Sequence, residues 1–430
     1  MILIFLFLRT GTKGPQPPRR LSYLPTELSE ELLAKAEKNG SLFSKFLRID
    51  TIGTLLFIAS GILILIGLSW GSTERWDQTR VIISFVAGGI LLLLFIGWEW
   101  MVEHSTDHLV REFEGRRRDH EAGDSSAPDP GMRQGMARFA PKWAYTTDAM
   151  IPMNMFRSYD VVATNFAAMV SGMIMLGIFY FVSIQYLIVQ GKSPTKSGVA
   201  LLYFAPGMVC TLFMPGVSFR LTTCLREQGC SISIRLLNWI RQPKYIIILS
   251  HLIITVAIGF LSKALNESNE AEIAGFMATC RAGVGMGFGP LAIHARFLQP
   301  EDRVAIVVAS DLFFRTAGGT IGLAQLAAVL NAKVRAEITS LVYSGAISLQ
   351  DVQAIGEQSS SINSLGGINN LPPAVQQYVK AAFADGLKWA FISLIPWCGL
   401  ATVAVLFLSM IPKEKLAKMS KKPKSGTEEK

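Results

Sequence analysis

The stretch "DLFFRTAGGTIGLAQLAAVL", residues 311–330, decides the fold, because it is apolar enough for a membrane helix and yet carries charges. Its polar residues and glycines recur at intervals of three and four, so they share one helix face: Asp311, Arg315, Gly318, Gly319, Gly322 and Gln325. A charge within a span costs at least about 2.5–3.5 kcal/mol on insertion scales, so it normally faces the protein interior or a water-filled cavity. Glycines on that face let a second helix approach closely. We therefore expect Arg315, Asp311 and Gln325 on a substrate pathway or coupling site, and the three glycines in helix packing. The alternative for Asp311 and Arg315 is that they lie near the cytosolic end and snorkel to water.

Apolar residues are concentrated in blocks along the rest of the chain. Of 430 residues, half are hydrophobic and 17% are charged, against roughly 25% charged in average soluble proteins. The blocks are about 20 residues long, enough to cross a bilayer core of about 30 Å. Eight such blocks are present: 50–70, 81–103, 162–189, 198–219, 245–262, 273–295, 304–330 and 387–411. Backbone groups in lipid must be paired within the segment, so the sequence predicts an all-α membrane protein with about eight transmembrane helices.

Basic residues are distributed unevenly among the connecting segments. Of 41 Lys and Arg, 30 lie in alternate segments beginning with the N-terminal one, and 8 lie in the other connecting segments. Cytosolic loops of membrane proteins carry the excess of Lys and Arg. Both termini are therefore predicted to be cytosolic, and four segments are predicted to lie outside: 71–80, 190–197, 263–272 and 331–386.

Several classes of function are disfavoured by the residues present. The net charge of +9 has no basic patch interleaved with aromatics, so nucleic-acid binding is not expected. The five cysteines include no C-x-x-C pair, and His104 and His108 lack an evident third ligand, so no metal site is expected. The alternating glycines of 283–289 follow no predicted strand, which disfavours dinucleotide binding. With no nucleophile–base pairing evident, we expect neither an enzyme, nor catalytic residues, nor a cofactor.

Two other predicted spans contribute candidate residues. Polar side chains on a membrane helix often line a substrate path, which makes Asn165, Tyr180 and Gln185 pathway candidates. The alternative for a Tyr near a helix end is ordinary anchoring at the membrane interface.

The predicted span 273–295 is rich in glycine. Gly285 and Gly289 have the Gly-x-x-x-Gly spacing that favours tight helix packing, and Pro290 favours a kink.

Three stretches together carry a family resemblance. Residues 50–100 resemble the extra helix pair between the two halves of the fungal 14-span drug–proton antiporters of the major facilitator superfamily. Residues 151–208, beginning "IPMNMFRSYDVVATNF", look like the start of their second half, and residues 286–330 look like its later helices. The resemblance covers about residues 1 to 411. Residues 1–20 look like the end of the family's sixth span, so we expect the chain to lack the first six spans.

The resemblance implies a division of the chain into five parts. These are a span remnant and cytosolic linker 1–49, an accessory two-span pair 50–103, a cytosolic loop 104–161, a six-span C-terminal transporter half 162–411, and a basic tail 412–430. The family's charged motif between spans two and three, and its Gly-Pro motif in span five, have no counterpart here, and the loop after residue 219 is longer than expected.

In function, the resemblance implies a secondary active exporter of small molecules, of the multidrug or toxin efflux type, coupled to protons. The lipid bilayer is then the surrounding partner, in the plasma membrane or alternatively the vacuolar membrane. Two other readings stay open: a siderophore-type uptake transporter, and a non-transporting truncated membrane protein that assembles with a separate first-half chain.

The predicted topology can be tested by cysteine labelling. Because 331–386 is predicted to lie outside, Ser359→Cys should react with an impermeant maleimide in intact cells. Ser125→Cys, in the basic loop 104–161, is the matched control and should react only after permeabilisation. Protection of the Ser359→Cys site in intact cells would overturn the topology.

Overall fold

The computed structural model describes residues 50–73, 76–121, 151, 153–202, 204, 236–237, 239–240, 242–298, 304–344 and 373–412. Side chains of 104–121 are not described, so the statements on His104 and His108 stay predictions. Also outside the described residues are the linker 1–49, most of the predicted loop 104–161, most of the predicted span 198–219, the loop after 219, and the tail from residue 413.

All regular elements in the described residues are helical. In chain order they are α1 (Thr51–Thr73), α2 (Thr79–Glu121), a 3-10 turn (Met153–Arg157), α3 (Tyr159–Gly177), α4 (Pro194–Leu201), α5 (Pro243–Glu267), α6 (Glu270–Leu298), α7 (Val304–Tyr343), α8 (Pro373–Ile392) and α9 (Ile395–Leu406). Two π-helical segments, Ile178–Val182 and Gln185–Val189, prolong α3.

Six stretches of these helices are long and apolar enough to cross a membrane: Thr51–Gly71, Thr79–Glu103, Tyr159–Val189, Pro243–Glu267, Val304–Tyr343 and Val375–Leu406. They coincide with six of the eight predicted blocks, and the prediction of an all-α membrane protein is confirmed. The block 273–295 forms a helix, α6, but α6 is not among the six. Its glycines and its charged residues, such as Glu270, Glu272, Arg281 and Arg296, lower its hydropathy.

Two helix boundaries differ from the predicted ones. The block 304–330 is part of a longer helix that ends at Tyr343, and the last block begins earlier, at Pro373. Polar residues at those ends concealed the helical continuation, because hydropathy marks the apolar core of a span and not the end of its helix.

The last membrane stretch is interrupted at Ser393 and Leu394, between α8 and α9. Pro396 occupies the first turn of α9 and has no N–H to give to the preceding turn, so it favours a break there. The Gln325 amide of α7 donates to the Ser393 carbonyl at 2.9 Å and to the Ser393 hydroxyl at 3.1 Å. A neighbouring helix therefore satisfies the backbone oxygen that the break leaves open.

The chain divides into two compact units, Met1–Ser60 with Ile90–Met153, and Gly61–Gly89 with Asn154–Lys430. In the first unit, the Asp50 carboxylate caps α1 by accepting from the Gly53 N–H at 2.8 Å. The same oxygen accepts from the Trp98 indole at 2.9 Å. The rings of Phe57 and Phe95 lie 5.1 Å apart, so these contacts join the start of α1 to the middle of α2.

In the second unit, α3 is the central helix. Of the most apolar 18 residues of its membrane stretch, 67% are buried. The α3 helix is covered chiefly by α7, with α6 and α9 on other sides.

The helices α3 and α7 approach each other backbone to backbone. A Cβ on Gly172 would overlap the Arg315 carbonyl, and a Cβ on Gly318 would overlap the Met169 carbonyl. A Cβ on Gly322 would lie 2.7 Å from the Met173 Cα. Along both helices the contacts ascend together from Asn165–Ser310 through Gly172–Gly319 to Gly177–Leu326, so the two helices run in the same direction. Only glycine permits this separation, since the obstacles are main-chain atoms.

This crossing predicts a difference between neighbouring glycine substitutions. Gly318→Ala should lower thermal stability by about 1–3 kcal/mol through overpacking, because Met169 backbone blocks the new methyl. Gly319→Ala should be milder, because its obstacle is the end of the Leu176 side chain.

Gly259→Ala in α5 is the matched control, since its Cβ meets nothing within 4 Å. It should hold or gain stability, as alanine is the better helix former. The melting temperatures of the three purified variants are measured by fluorescence-detected size-exclusion chromatography after heating. Equal melting temperatures for Gly318→Ala and Gly259→Ala would contradict the close crossing.

Candidate functional site

An ion pair lies in the middle of the bundle, on α7. The Arg315 Nη2 donates to the Asp311 Oδ2 at 3.2 Å, one helical turn away. Arg315 is 4% exposed and Asp311 is 3% exposed. Neither side chain therefore reaches water by snorkelling along the helix, and the pair is an interior one.

The ion pair is only partly satisfied. The Nε and Nη1 of Arg315 and the Oδ1 of Asp311 are buried and have no hydrogen-bond partner in the part of the chain that the structure describes. A buried unsatisfied donor or acceptor costs about 1–3 kcal/mol, and more for charged groups. The pair thus retains hydrogen-bonding capacity that a water, an ion or a ligand can use.

An aromatic ring covers the guanidinium. The centre of the Phe288 ring, from α6, lies 4.1 Å from the Arg315 Cζ. This is a cation–π contact, worth about 2 kcal/mol when desolvated. Phe288 is itself only partly buried, so the guanidinium is shielded by one movable side chain on this face.

Helices α3 and α5 place further polar groups in the same region. The Asn165 amide of α3 donates to the Ser310 hydroxyl of α7 at 3.0 Å. On α5, His251 Nδ1 lies 2.9 Å from the Ile247 carbonyl and its Nε2 lies 3.4 Å from the Ala167 carbonyl of α3. His251 is buried.

Two glycines of α6, Gly283 and Gly287, approach α5. A Cβ on Gly283 would lie 3.1 Å from the Ser250 carbonyl, and one on Gly287 would lie 2.7 Å from the Ser250 hydroxyl. Among the described residues, a Cβ on Gly289 would meet nothing within 4 Å, so no described contact supports the packing role predicted for Gly289. Both Gly-x-x-x-Gly registers are present in the sequence, and spacing alone does not choose between them.

Gly285 and Pro290, the other two α6 residues selected for packing, are buried. Pro290 lies within α6, which continues through it to Leu298.

Three of the predicted pathway residues lie away from the ion pair. Gln325 holds the break between α8 and α9. Gln185 is buried and its amide donates to the Leu265 carbonyl at 3.0 Å, which fastens the π-helical end of α3 to the end of α5. Tyr180 is 48% exposed on the outside of α3, which fits the interface-anchoring alternative better than a pathway.

A second buried polar contact joins the start of α3 to α6. The fully buried His294 places its Nε2 3.5 Å from the Asp160 Oδ1, which also accepts from the Ser409 N–H at 2.7 Å. This contact ties three distant parts of the chain together. The sequence analysis did not select His294.

His251, Ser310 and Phe288 were also missed as members of the central site. An intramembrane histidine is a recognisable signal, since ionisable groups in spans are rare and functional. Phe288 and Ser310 carry no comparable signal, because phenylalanine and serine are ordinary in membrane helices. No cluster of three or more metal-binding side chains occurs among the described residues.

Chemically, the central site can hold charge and exchange hydrogen bonds. It combines one cation, one carboxylate, an aromatic cover and neutral polar groups on α3, α5, α6 and α7.

The chain is similar to curated transporters of fungi, although no protein-family model matches it. It is 24% identical over 384 residues to the MFS-type transporter pydD of an Acremonium species, covering 89% of this chain and 56% of that protein. It is 22% identical over 302 residues to the aspyridones efflux protein of Neocamarosporium betae, covering 70% of this chain and 43% of that protein. The chain spans about half the length of the curated relatives it matches.

Among solved structures, the chain is similar to a bacterial homologue of the human lysosomal transporter Spinster, in an inward-facing and occupied conformation. The identity is 12% and the TM-score 0.38, over 92% of this chain and 72% of that one. The sequence relatives are named as transporters and not as enzymes, and the helices are those of an integral multi-pass membrane protein.

Proposed function

We propose that this chain forms the accessory helix pair and one six-helix half of a proton-coupled secondary transporter that exports small molecules. The observation that carries the proposal is the buried and incompletely satisfied pair Arg315–Asp311. Relatives of the chain are named as an MFS-type transporter and as an efflux protein. These names support export over the siderophore-uptake alternative.

Such a buried ion pair has a large free-energy cost. Desolvating two charges costs several kcal/mol per ion, and the mutual attraction repays this only when the remaining donors and acceptors are also satisfied. Here Arg315 Nε, Arg315 Nη1 and Asp311 Oδ1 have no hydrogen-bond partner among the described residues. A membrane protein gains more stability from apolar packing at such a position, so the pair is retained for binding or coupling.

The coupling step assigned to the pair is proton transfer to and from Asp311. Its Oδ1 has no partner among the described groups and can take a proton. A protonated Asp311 loses its charge and releases the Arg315 guanidinium, which then carries an uncompensated positive charge. Release of the proton restores the ion pair. Proton and substrate occupancy are linked in this way through one guanidinium.

Alternating access requires a cavity walled by two halves that rock around a midplane site. We propose residues 162–411 as one of these halves, with Arg315, Asp311 and Asn165 buried between its helices, and the other half supplied by the same polypeptide or by a separate chain. Both termini of the present sequence are proposed to face the cytosol, in the plasma membrane.

Transport by variants tests the site. In yeast cells deprived of their own drug pumps and co-expressing a matching first six-span half, the protein should export the uncharged drug fluconazole, and a protonophore should abolish the export. Arg315→Leu should reduce export by about tenfold or more, equal to about 1.4 kcal/mol of barrier. Asp311→Asn should remove the proton dependence, since an amide cannot ionise.

Arg335→Leu is the matched control, because Arg335 is an exposed arginine on the same helix. It should export at the unmodified rate. Normal export by Arg315→Leu would remove the pair from the mechanism. A folded, membrane-inserted chain that exports nothing would instead favour the assembly partner without transport activity of its own.

A further inference from the structure

We infer that the central site binds an organic anion, whose carboxylate takes the unpaired N–H groups of Arg315 beneath the Phe288 ring. The inference rests on the proposed function for the role of the site in transport. Anion binding itself is tested separately from transport. Its basis is the geometry of one guanidinium.

Arg315 keeps most of its donors unused. A guanidinium carries five N–H donors in a fixed fork, and three of them are on Nε and Nη1. Those two atoms are without a hydrogen-bond partner in the described part of the chain, although the side chain is buried. A carboxylate satisfies two such donors at once with parallel, charge-assisted bonds. A neutral amide or ether oxygen satisfies one donor and leaves the charge uncompensated.

Charge balance favours an anion once Asp311 is neutral. While Asp311 is ionised, it compensates Arg315, and a second carboxylate would be repelled. After Asp311 takes a proton, the guanidinium is the only charged member of the pair, and one monoanion restores neutrality in the buried site. Among the described groups assigned to the central site, His251 of α5 can also ionise, whereas Asn165 of α3 and Phe288 of α6 cannot.

The surroundings favour an anion with an apolar body. The centre of the Phe288 ring lies 4.1 Å from the Arg315 Cζ, and this side chain is partly exposed. A ligand with an aromatic or aliphatic body can pack against the Phe288 ring while its carboxylate occupies the fork.

The matched probes are 1-naphthaleneacetate and its uncharged amide, 1-naphthaleneacetamide, with benzoate and succinate as further carboxylates. Binding is measured by thermal shift and by competition on the protein held in native-membrane nanodiscs, so that its lipid and any partner chain are retained. We expect the carboxylate to stabilise the protein and the amide, at the same concentration, to do so at least about tenfold less effectively.

Variants locate the effect. Arg315→Gln should weaken binding of 1-naphthaleneacetate by about tenfold or more, and Arg315→Lys by less, because lysine keeps the charge and loses the fork. Arg335→Gln should bind as the unmodified protein does. If Arg315→Gln does not fold, the comparison of acid with amide on the unmodified protein, together with Arg315→Lys, still decides the question.

Three outcomes overturn the inference: equal stabilisation by acid and amide, undiminished binding by Arg315→Gln, or no stabilisation by any of the three carboxylates. Fluconazole export that depends on Arg315 without carboxylate binding would leave the transporter proposal standing and remove the anion. Carboxylate binding without any flux would leave the anion site standing and remove the transporter proposal.

Discussion

The main-chain contact between α3 and α7 is the constraint on which the rest of the second unit depends. Gly172 meets the carbonyl of Arg315, and Gly318 meets that of Met169. Lipid tails are as apolar as leucine, so association of membrane helices relies on close packing and on hydrogen bonds. A contact made of backbone has no rotamers through which to adjust. It therefore fixes the rotation of α7, and with it the direction in which the Arg315 side chain leaves the helix.

Once that rotation is fixed, the buried charges follow from it. The face of α7 that carries the glycines also carries Asp311 and Arg315, so packing the glycines against α3 takes the charges out of reach of water. A second glycine contact, Gly283 and Gly287 of α6 against Ser250 of α5, brings Phe288 over the guanidinium. Glycine contacts therefore set the position of Arg315 through α7 and the position of its Phe288 cover through α6, without bonding to the guanidinium.

The sequence predicted the helices and the shared face of α7 because both depend on periodicity and hydropathy, which are local properties. It predicted Asp311 and Arg315 as members of that face for the same reason. It did not predict the partners. That Phe288 covers Arg315, or that Gln325 binds at Ser393, depends on which helices become neighbours. The choice between Gly283–Gly287 and Gly285–Gly289 depends on a rotation about the α6 axis that no spacing determines.

The break between α8 and α9 gives the close contact of α3 and α7 a wider consequence. Gln325 is ten residues beyond Arg315 on the same uninterrupted helix, about 15 Å along its axis. Its amide holds the Ser393 carbonyl that the break leaves open. The α7 helix is regular between Arg315 and Gln325, and its backbone contact with α3 prevents it from sliding. A movement of α7 at the ion pair therefore also moves Gln325 at the break. The break in the last membrane helix and the charged centre of the bundle are therefore attached to one rigid helix, so a change of charge at Asp311 that moves α7 also moves the contact at Ser393.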